Sequence, residues 1–338
     1  MTIPTRIGVT GGAGFIGSHL CERLLAEGRE VVAIDNFSHG SPANVAGFLA
    51  NPNFRFAEAD CRDARRMRRM FAGCDAIAHL AADKIPRYGG ALATLEGNVE
   101  GAHAACEVAL ALDVPLIMTS TSDVYGNATA PFSEDDPVVL GPSTTRRWAY
   151  AVSKLYDEHI ALANAEERGL RTVILRLFNV YGPRNHPSWW GGPVTAFTEA
   201  LLKGEIMELH GDGRQVRSLT YVTDTADGFV RSLDTPEAYG EIINIGGDEP
   251  ITMVKLAAAV QDELGIAGPL RAKLLPYEKI GGRYQDVRCR IPDTAKAARL
   301  LGFHTTVGLD EGLREAVAWQ AALEGAETEA PKAAVGVA

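Results

Sequence analysis

The chain has 338 residues, of which 46% are hydrophobic and 22% charged, and its formal net charge is −10 at pH 7. This balance is that of a globular protein with a sizeable core, and the length suggests two lobes. The acidic charge argues against a nucleic-acid-binding face, and no apolar run approaches the ~18 residues of a membrane-spanning helix.

The N-terminus and the cysteines indicate the cellular compartment. Residues 1–6 lead directly into a strand and lack the apolar region of a signal peptide. The five cysteines are scattered without a CxxC or CxxxC pair, a pattern typical of reduced core thiols and not of a metal site or a disulfide framework. We therefore expect a cytoplasmic protein that binds no metal.

The first predicted strand, Arg6 to Thr10, runs into a glycine-rich turn that is followed by a helical pattern. The turn has the spacing G-x-x-G-x-x-G, with its glycines at Gly11, Gly14 and Gly17. Glycine permits a tight turn, close approach of a pyrophosphate and close helix–sheet packing. Phe15 and Ile16 open the helix, whose N-terminus then faces the phosphates. The pattern predicts a dinucleotide-binding turn; the alternative is a purely structural glycine turn.

Two further predicted strands end in acidic residues. The strand Glu30 to Ile34 ends in Asp35, about 20 residues beyond the turn, where a carboxylate binds the ribose 2′-hydroxyl. Because Asp35 repels a 2′-phosphate, NAD is favoured over NADP. The strand Phe54 to Ala59 ends at Asp60, which is placed to reach the adenine. Their neighbours Asn36 and Cys61 complete this part of the predicted cofactor site.

The fourth predicted strand runs from Ala76 to a turn of small residues at Ala82. Its last residues, Leu80 to Ala82, belong to the predicted cofactor site, whereas His79 inside the strand is expected to be a core histidine. Strands that alternate with helices predict an α/β fold with a doubly wound parallel sheet of Rossmann type. The ligand crevice of such a sheet lies at the carboxyl ends of its strands.

The fifth predicted strand, Val114 to Thr119, runs into a polar turn that contains Thr121, and Tyr150 and Lys154 follow near the start of a helix. A Tyr and a Lys four residues apart lie one turn apart on one face of a helix. The ammonium stabilises the phenolate and so lowers the phenol pKa, which suits the tyrosine to act as a base. Thr121 is placed to hydrogen-bond the same substrate oxygen. The alternative is an ordinary amphipathic helix.

Two long helices, Leu92 to Leu112 and the one after Tyr150, have little polar outer face. This pattern predicts a homodimer through these helices, although burial under the chain's own loops is an alternative.

The regular alternation of strands and helices ends after Leu177. We predict a Rossmann domain at 1–178, with Ser218 to Val222 and Glu241 to Ile245 returning to its sheet within a segment at about 218–246. A smaller C-terminal α/β substrate lobe spans 179–323, with a helix at Thr252 to Leu264. Residues 324–338 lack periodicity, which predicts a disordered tail.

The glycine turn, Asp35, Thr121, Tyr150-x-x-x-Lys154 and Phe178-Asn-Val-Tyr-Gly-Pro-Arg184 together resemble the extended short-chain dehydrogenases that act on nucleotide sugars. The resemblance covers nearly the whole chain. Within that family, the segments 147–154 and 282–290 resemble UDP-glucuronate decarboxylases, and Arg290-Ile-Pro-Asp293 resembles UDP-xylose synthases. Two positions differ from the decarboxylases, since Asp123 stands where they have Glu and Glu208 stands where some of them have Lys.

The resemblance implies an NAD-dependent enzyme that oxidises the sugar at C4. Tyr150 would take the proton of the 4-hydroxyl, Lys154 would hold the nicotinamide ribose, and Thr121 would bind the 4-oxygen. Arg290 would face the C6 carboxylate or protonate C5 after carbon dioxide leaves, with Asp123 nearby. The residues implied to bind the substrate are Tyr88, Thr121, Ser122, Arg147, Asn179, Arg184, Arg217 and Tyr284.

The favoured reaction is decarboxylation of UDP-glucuronate to a UDP-4-keto-pentose or UDP-xylose. A 4-epimerase is the first rival, because it needs only Thr121, Tyr150 and Lys154. A 4,6-dehydratase usually has an Asp–Glu pair directly after the Thr, where this chain has Ser122 and Asp123. A catalytically silent NAD-binding regulator is the remaining alternative. The presence of both Tyr150 and Lys154 in this chain argues against it.

Overall fold

The computed structural model of the protein describes residues 3–84, 90–280 and 284–329. Its strands are β1 (Arg6–Thr10), β2 (Glu30–Asp35), β3 (Phe54–Glu58), β4 (Ala76–His79), β5 (Leu116–Thr121), β6 (Thr172–Leu177), β7 (Val180–Tyr181), β8 (Met207–His210), β9 (Val216–Ser218), β10 (Thr220–Tyr221), β11 (Ile242–Ile245), β12 (Pro250–Thr252), β13 (Ala272–Leu275) and β14 (Cys289–Arg290). Its α-helices are α1 (Phe15–Ala26), α2 (Ala43–Ala46), α3 (Ala64–Met70), α4 (Ala91–Leu112), α5 (Trp148–Arg168), α6 (Pro193–Leu202), α7 (Val222–Asp234), α8 (Met253–Glu263), α9 (Tyr277–Ile280), α10 (Ala295–Leu301) and α11 (Leu309–Glu329).

The main sheet has seven parallel strands in the order β11-β6-β5-β4-β1-β2-β3. Its central strands β4, β5 and β6 are buried along their length, because helices cover both faces, and their polar residues are therefore buried as well. The strand order reverses beside β1, which has β2 on one side and β4 on the other. The predicted doubly wound Rossmann sheet is confirmed, and its crevice lies at the carboxyl ends of β1 and β4.

The two faces of the main sheet have separate hydrophobic cores. On one face, Leu20 and Leu24 of α1 and Phe229 of α7 are buried against the strands. On the other face, Met67 of α3 and Ala105 of α4 are buried in the second core, together with residues of α5. Helices on both faces hold the strand ends in fixed relative positions, and these ends carry the predicted site residues.

The smaller lobe contains the sheets β12-β9-β14, β13-β8 and β10-β7. Phe197 of α6, Leu256 of α8 and Leu313 of α11 are buried in its core. The prediction that Ser218 to Val222 returns to the main sheet is wrong, because these residues belong to β9, β10 and the start of α7. Only the later segment joins that sheet, as its edge strand β11 beside β6. A short β-branched run indicates a strand without specifying its partner.

The C-terminal helix continues beyond the predicted start of the tail. α11 ends at Glu329, so residues 324–329 are helical and not disordered. Ala326 and the three glutamates of this segment are good helix formers, which favours continuation of the helix. Residues 330–338 lie outside the described ranges. Within those ranges, no helix is long and apolar enough to cross a membrane.

Candidate active site

The turn between β1 and α1 requires glycine for steric reasons. Gly11 has φ +70°, and a Cβ on it would lie 2.9 Å from the Ala81 backbone nitrogen. A Cβ on Gly17 would lie 2.0 Å from the Gly11 carbonyl oxygen. The helix N-cap, Gly14, has no side chain to bind the first N–H groups of α1. The turn is thus shaped to bring a ligand phosphate close to the backbone at an uncapped helix N-terminus.

The carboxylate of Asp35 is anchored by the same turn. It is buried at the end of β2 and accepts hydrogen bonds from the backbone N–H groups of Ala13 (3.0 Å) and Phe37 (2.8 Å). Each of its oxygens keeps lone-pair capacity for a hydroxyl donor. Burial raises the pKa of Asp35, although the backbone hydrogen bonds oppose this.

The neighbouring acidic residue, Asp60, is fixed by polar contacts. It accepts from the Arg62 guanidinium (2.7 Å) and from Asn36 Nδ2 (3.1 Å), and the hydrogen bonds from Arg62 are the main cause that lowers its pKa. Cys61 beside it is no reactive thiolate, because burial raises its pKa to about 12. The structure therefore gathers Asp35, Asn36 and Asp60 on one side of the glycine turn.

The end of β4 is tied to β1 through His79. Its Nδ1 lies 2.8 Å from Thr10 Oγ1, which also accepts from the N–H groups of Leu80 (3.1 Å) and Ala81 (3.2 Å). Since Thr10 accepts twice, its own proton goes to His79. Burial lowers the pKa of His79 to about 3, so the ring is neutral. It is a core histidine with a satisfied ring nitrogen, as predicted, and it holds Leu80 and Ala81 against the glycine turn.

The structure brings Thr121 and Tyr150 together, at the end of β5 and in the first turn of α5. Burial raises the pKa of Tyr150, the Asp123 carboxylate raises it further, and the hydrogen bond with Thr121 opposes this. Lys154 is buried, and its Nζ lies 2.8 Å from Asp157 Oδ2. The expected lowering of the Tyr150 pKa is therefore not seen: burial is the main cause that raises this pKa, and the charge of Lys154 is paired with Asp157.

An asparagine to which sequence reasoning assigned no role supports this helix. Asn98 of α4 donates to Ser153 Oγ (2.9 Å) and to the Asp83 carbonyl oxygen (3.0 Å), and its own oxygen accepts from the Asp83 N–H (2.8 Å). The loop after β4 is thereby linked to the turn of α5 that carries Lys154.

Three arginines and two aspartates form a chain of ion pairs along the site. Asp123 lies 2.9 Å from Arg147 Nη2 and 2.7 Å from Arg290 Nη2. Asp286 lies 3.1 Å from Arg147 Nη1 and 2.9 Å from Arg217 Nη2. Asp286 was missed, because its role depends on contacts with residues distant in sequence. This part of the site carries one excess positive charge and suits an anionic ligand.

The electrostatics of this chain fix the charge of its members. Burial acts to raise the pKa of Asp123, but Arg290, Arg147 and Arg217 outweigh it and the net pKa is lowered. Burial lowers the pKa of Arg290 to about 10, which leaves it cationic at neutral pH. The buried Nε atoms of Arg147 and Arg290 have no hydrogen-bond partner among the described residues. Both guanidinium groups thus retain an unused donor.

The remaining predicted residues divide between the site and its surroundings. Asn179 has φ +41° and accepts from Arg290 Nη1 at 3.4 Å. Tyr284 Oη lies 3.4 Å from Arg147 Nη1. Arg184 instead pairs with Glu22 of α1 at 2.5 Å and does not line the cavity described below. Tyr88 lies outside the described residues. The charge-reversed Glu208 pairs with Lys273 at 3.0 Å, outside that cavity.

The chain of ion pairs, Thr121 and Tyr150 line one cavity of about 580 Å³ between the Rossmann domain and the smaller lobe. Its volume lies in the range of small-molecule sites. Its walls include Phe15, Ile16, Leu80, Ala82, Thr121, Ser122, Asp123, Arg147, Tyr150, Asn179, Arg217, Tyr284, Asp286 and Arg290. In the described ranges, no group of three or more His, Cys, Asp or Glu side chains is arranged to hold a metal ion.

Comparisons with known proteins agree with this architecture. The profile described as "NAD dependent epimerase/dehydratase family" matches residues 7–246. The UDP-N-acetyl-alpha-D-glucosaminuronate decarboxylase of Bacillus cytotoxicus is 32% identical over 314 residues, which cover 92% of this chain and 96% of that protein. UDP-glucuronic acid decarboxylase 6 of Arabidopsis thaliana is 33% identical over 322 residues, which cover 91% of this chain and 86% of that protein.

A solved structure of an epimerase, an activity different from that of the two decarboxylases, is also similar to this chain. It is a UDP-glucuronic acid 4-epimerase variant from Bacillus cereus, in complex with UDP-4-deoxy-4-fluoro-glucuronic acid and NAD. The TM-score is 0.84 at 29% sequence identity, and the match covers 94% of this chain and 99% of that one.

Proposed function

Because this chain belongs to the NAD-dependent epimerase/dehydratase family, we propose that it oxidises C4 of UDP-glucuronate and releases C6 as carbon dioxide. The glycine turn fits the cofactor, since Gly11 and Gly17 let the turn pack tightly on neighbouring backbone and Gly14 leaves the N-terminus of α1 uncapped for a pyrophosphate. When bound, NAD accepts the hydride from C4. Asp35, Asp60 and the N-terminus of α1 hold its adenosine and diphosphate, and Lys154 its nicotinamide ribose.

In this proposal the protein binds the substrate, moves one proton and stabilises charge. Tyr150 removes the proton of the 4-hydroxyl, and Thr121 hydrogen-bonds the 4-oxygen. The resulting 4-ketone makes the C6 carboxylate a β-keto acid. The electron pair of the C5–C6 bond then passes into an enolate at C4–C5 as carbon dioxide leaves, and a proton returns to C5. Asn179 and Arg217 hold the diphosphate of the UDP-sugar.

The position of Arg290 is the observation that carries this proposal. Its guanidinium is buried beside Asp123, two residues from Thr121, and keeps an unused donor. An arginine matches a carboxylate in forked geometry, which favours a hexuronate over a neutral hexose at this point of the cavity. Ser122 also argues against a dehydratase, because it stands where those enzymes usually have the acid that protonates the departing hydroxyl.

Incubation with UDP-glucuronate, followed by mass spectrometry, tests the reaction. We expect loss of carbon dioxide; an unchanged mass with a new epimer, or loss of water, would contradict the proposal. The epimerase is the second candidate, since the similar structure from Bacillus cereus acts on the same sugar nucleotide. A parallel incubation with UDP-N-acetylglucosaminuronate tests the substrate of the Bacillus cytotoxicus relative, which differs at C2.

We expect cofactor-free protein to bind NAD at least tenfold (~1.4 kcal/mol) more tightly than NADP. The 2′-phosphate would approach the Asp35 carboxylate, which cannot withdraw because two backbone N–H groups hold it. Calorimetric titration of the cofactor-free protein with each cofactor measures the ratio of the two dissociation constants. Asp35→Ser should narrow the preference, whereas Asp75→Asn, distant from the glycine turn, should leave it unchanged. Tighter binding of NADP by the wild type would remove the basis of this assignment.

We further propose a homodimer through the outer faces of α4 and α5. Leu92, Val152 and Tyr156 are 66%, 44% and 42% exposed there, which favours burial against a second copy. Light scattering at micromolar concentration should give the mass of a dimer. Val152→Glu should shift it toward the monomer, whereas Leu323→Glu on α11 should not. A monomeric wild type would contradict the proposal.

A further inference from the structure

A network of buried polar side chains lies beneath the cavity and takes no part in the chemistry proposed above. At its centre is the carboxylate of Glu158 on α5, which receives two hydrogen bonds from Arg176 on β6. Arg176 Nε lies 2.9 Å from Glu158 Oε1, and Nη2 lies 2.7 Å from Oε2. Ser120 Oγ also donates to Oε1. All three side chains are buried.

The position of this network relates it to the site. Ser120 and Arg176 are directly paired in the register of β5 and β6, and the next residue of β5 is Thr121. Glu158 lies one turn after Lys154 and two turns after Tyr150 on the same helix. The single carboxylate therefore joins the strand that carries Thr121 to the helix that carries Tyr150.

The network continues to the other segments of the site. Arg176 lies over the ring of Tyr125 at 4.6 Å, and Tyr125 belongs to the 3-10 helix that contains Asp123. Tyr125 Oη donates to Asn244 Oδ1 at 2.7 Å. Asn244 Nδ2 in turn donates to the carbonyl oxygen of Asp293 at 3.1 Å, three residues beyond Arg290.

We propose that Glu158 and Arg176 are positioning residues that set the distance between Thr121 and Tyr150. Both act through their neighbours, and neither lines the cavity. A bidentate, fully desolvated ion pair has one well-defined geometry, whereas apolar side chains of similar volume allow sliding. Proton removal from the 4-hydroxyl needs an alignment in which a displacement of about 1 Å costs ~10²-fold in rate. This inference rests on C4 oxidation, the step shared by the decarboxylase and its rivals.

The test is the double variant Glu158→Gln/Arg176→Met, which removes both charges together. Exchange of a buried ion pair for neutral groups often preserves stability, whereas a single substitution leaves a buried charge unpaired. We expect a folded protein with an unchanged Kd for NAD and an unchanged KM for the sugar. The single-turnover rate of C4 oxidation, read as NADH absorbance, should fall ~10–100-fold. A folded double variant that oxidises the sugar at the wild-type rate would overturn the proposal.

The control is Arg29→Met/Asp234→Asn, which removes another bidentate pair, with contacts of 2.7 and 2.6 Å, far from the cavity. It should leave the oxidation rate unchanged, and an equal loss of rate would show that the effect is general. The substrate is whichever UDP-sugar the wild type oxidises. If the wild type oxidises the sugar without releasing carbon dioxide, the decarboxylase proposal is wrong. The oxidation rate still tests the positioning role of Glu158 and Arg176.

A second measurement needs neither a sugar nor the double variant. Ser120→Ala removes one hydroxyl and leaves the ion pair intact. Because this hydroxyl links β5 to Glu158, amide hydrogen exchange over residues 121–125 should become faster than in the wild type. Unchanged exchange in this segment would overturn the proposal even if the double variant did not fold.

Discussion

Replacing Tyr150 by phenylalanine is expected to slow C4 oxidation of the sugar by ~10²–10⁴-fold, the usual contribution of a general base. The substitution keeps the ring and removes only the ionisable oxygen beside Thr121. NAD binding through the glycine turn should persist, because that turn is untouched. Single-turnover NADH absorbance measures the oxidation, and calorimetry measures the cofactor affinity.

The matched control for this variant is Tyr239→Phe, which removes a phenol oxygen from a half-buried tyrosine away from the cavity. It should leave the oxidation rate unchanged. Near-normal turnover by Tyr150→Phe would show that another group takes the proton. Since burial and Asp123 both raise the pKa of Tyr150, the oxidation rate of the wild type should also rise with pH as the phenol ionises.

The parts of the site that the sequence predicts are those that depend on local geometry. The steric need for glycine at Gly11 and Gly17 arises within a few residues of one turn, and Asp35 follows at the end of the next strand. Parallel topology then brings the strand ends together, so the crevice could be expected from the alternation of strands and helices alone. Thr121 lies at one of these strand ends, and it was expected to bind the same substrate oxygen as Tyr150 on the following helix.

Contacts between distant segments could not be predicted in this way. Asp286 joins Arg147 and Arg217 only after the smaller lobe has packed against the Rossmann domain. The pairing of Glu158 with Arg176 likewise requires the register of β5 and β6 and the packing of α5. The sequence of each segment is compatible with several partners, as the wrong assignment of Ser218 to Val222 shows.

One misjudged interaction was visible in the sequence. Asp157 follows Lys154 by three residues, so the two side chains share a helix face as closely as Tyr150 and Lys154 do. A buried ammonium pairs more favourably with a carboxylate than with a neutral phenol. The spacing of Lys154 and Asp157 was therefore sufficient to predict that the lysine charge is paired with a carboxylate. A lysine paired in this way has less effect on the pKa of Tyr150.

Replacing Arg290 by methionine is expected to abolish release of carbon dioxide from UDP-glucuronate while C4 oxidation continues. Methionine keeps a comparable stem and removes a guanidinium that is cationic at neutral pH. Thr121 and Tyr150 are untouched, so the sugar is still oxidised. The ketone with its carboxylate should therefore accumulate together with NADH, and mass spectrometry and absorbance should detect both.

Arg288→Met is the control for this prediction, because Arg288 lies two residues away, is exposed and pairs with Asp212 outside the cavity. It should release carbon dioxide at the wild-type rate. Arg290→Lys should recover only part of the activity, since an ammonium supplies the charge without the forked donors that fit a carboxylate.

The separation of the two steps is what makes the Arg290 variant decisive. If Arg290 only bound the substrate, its loss would raise KM and slow oxidation and decarboxylation equally, without accumulation of NADH. If it stabilises the substrate carboxylate during carbon–carbon cleavage, the second step alone is lost. Release of carbon dioxide at the wild-type rate would remove Arg290 from the mechanism. A wild type that converts UDP-glucuronate to UDP-galacturonate, with the carboxylate retained, would make Arg290 a binding residue of an epimerase.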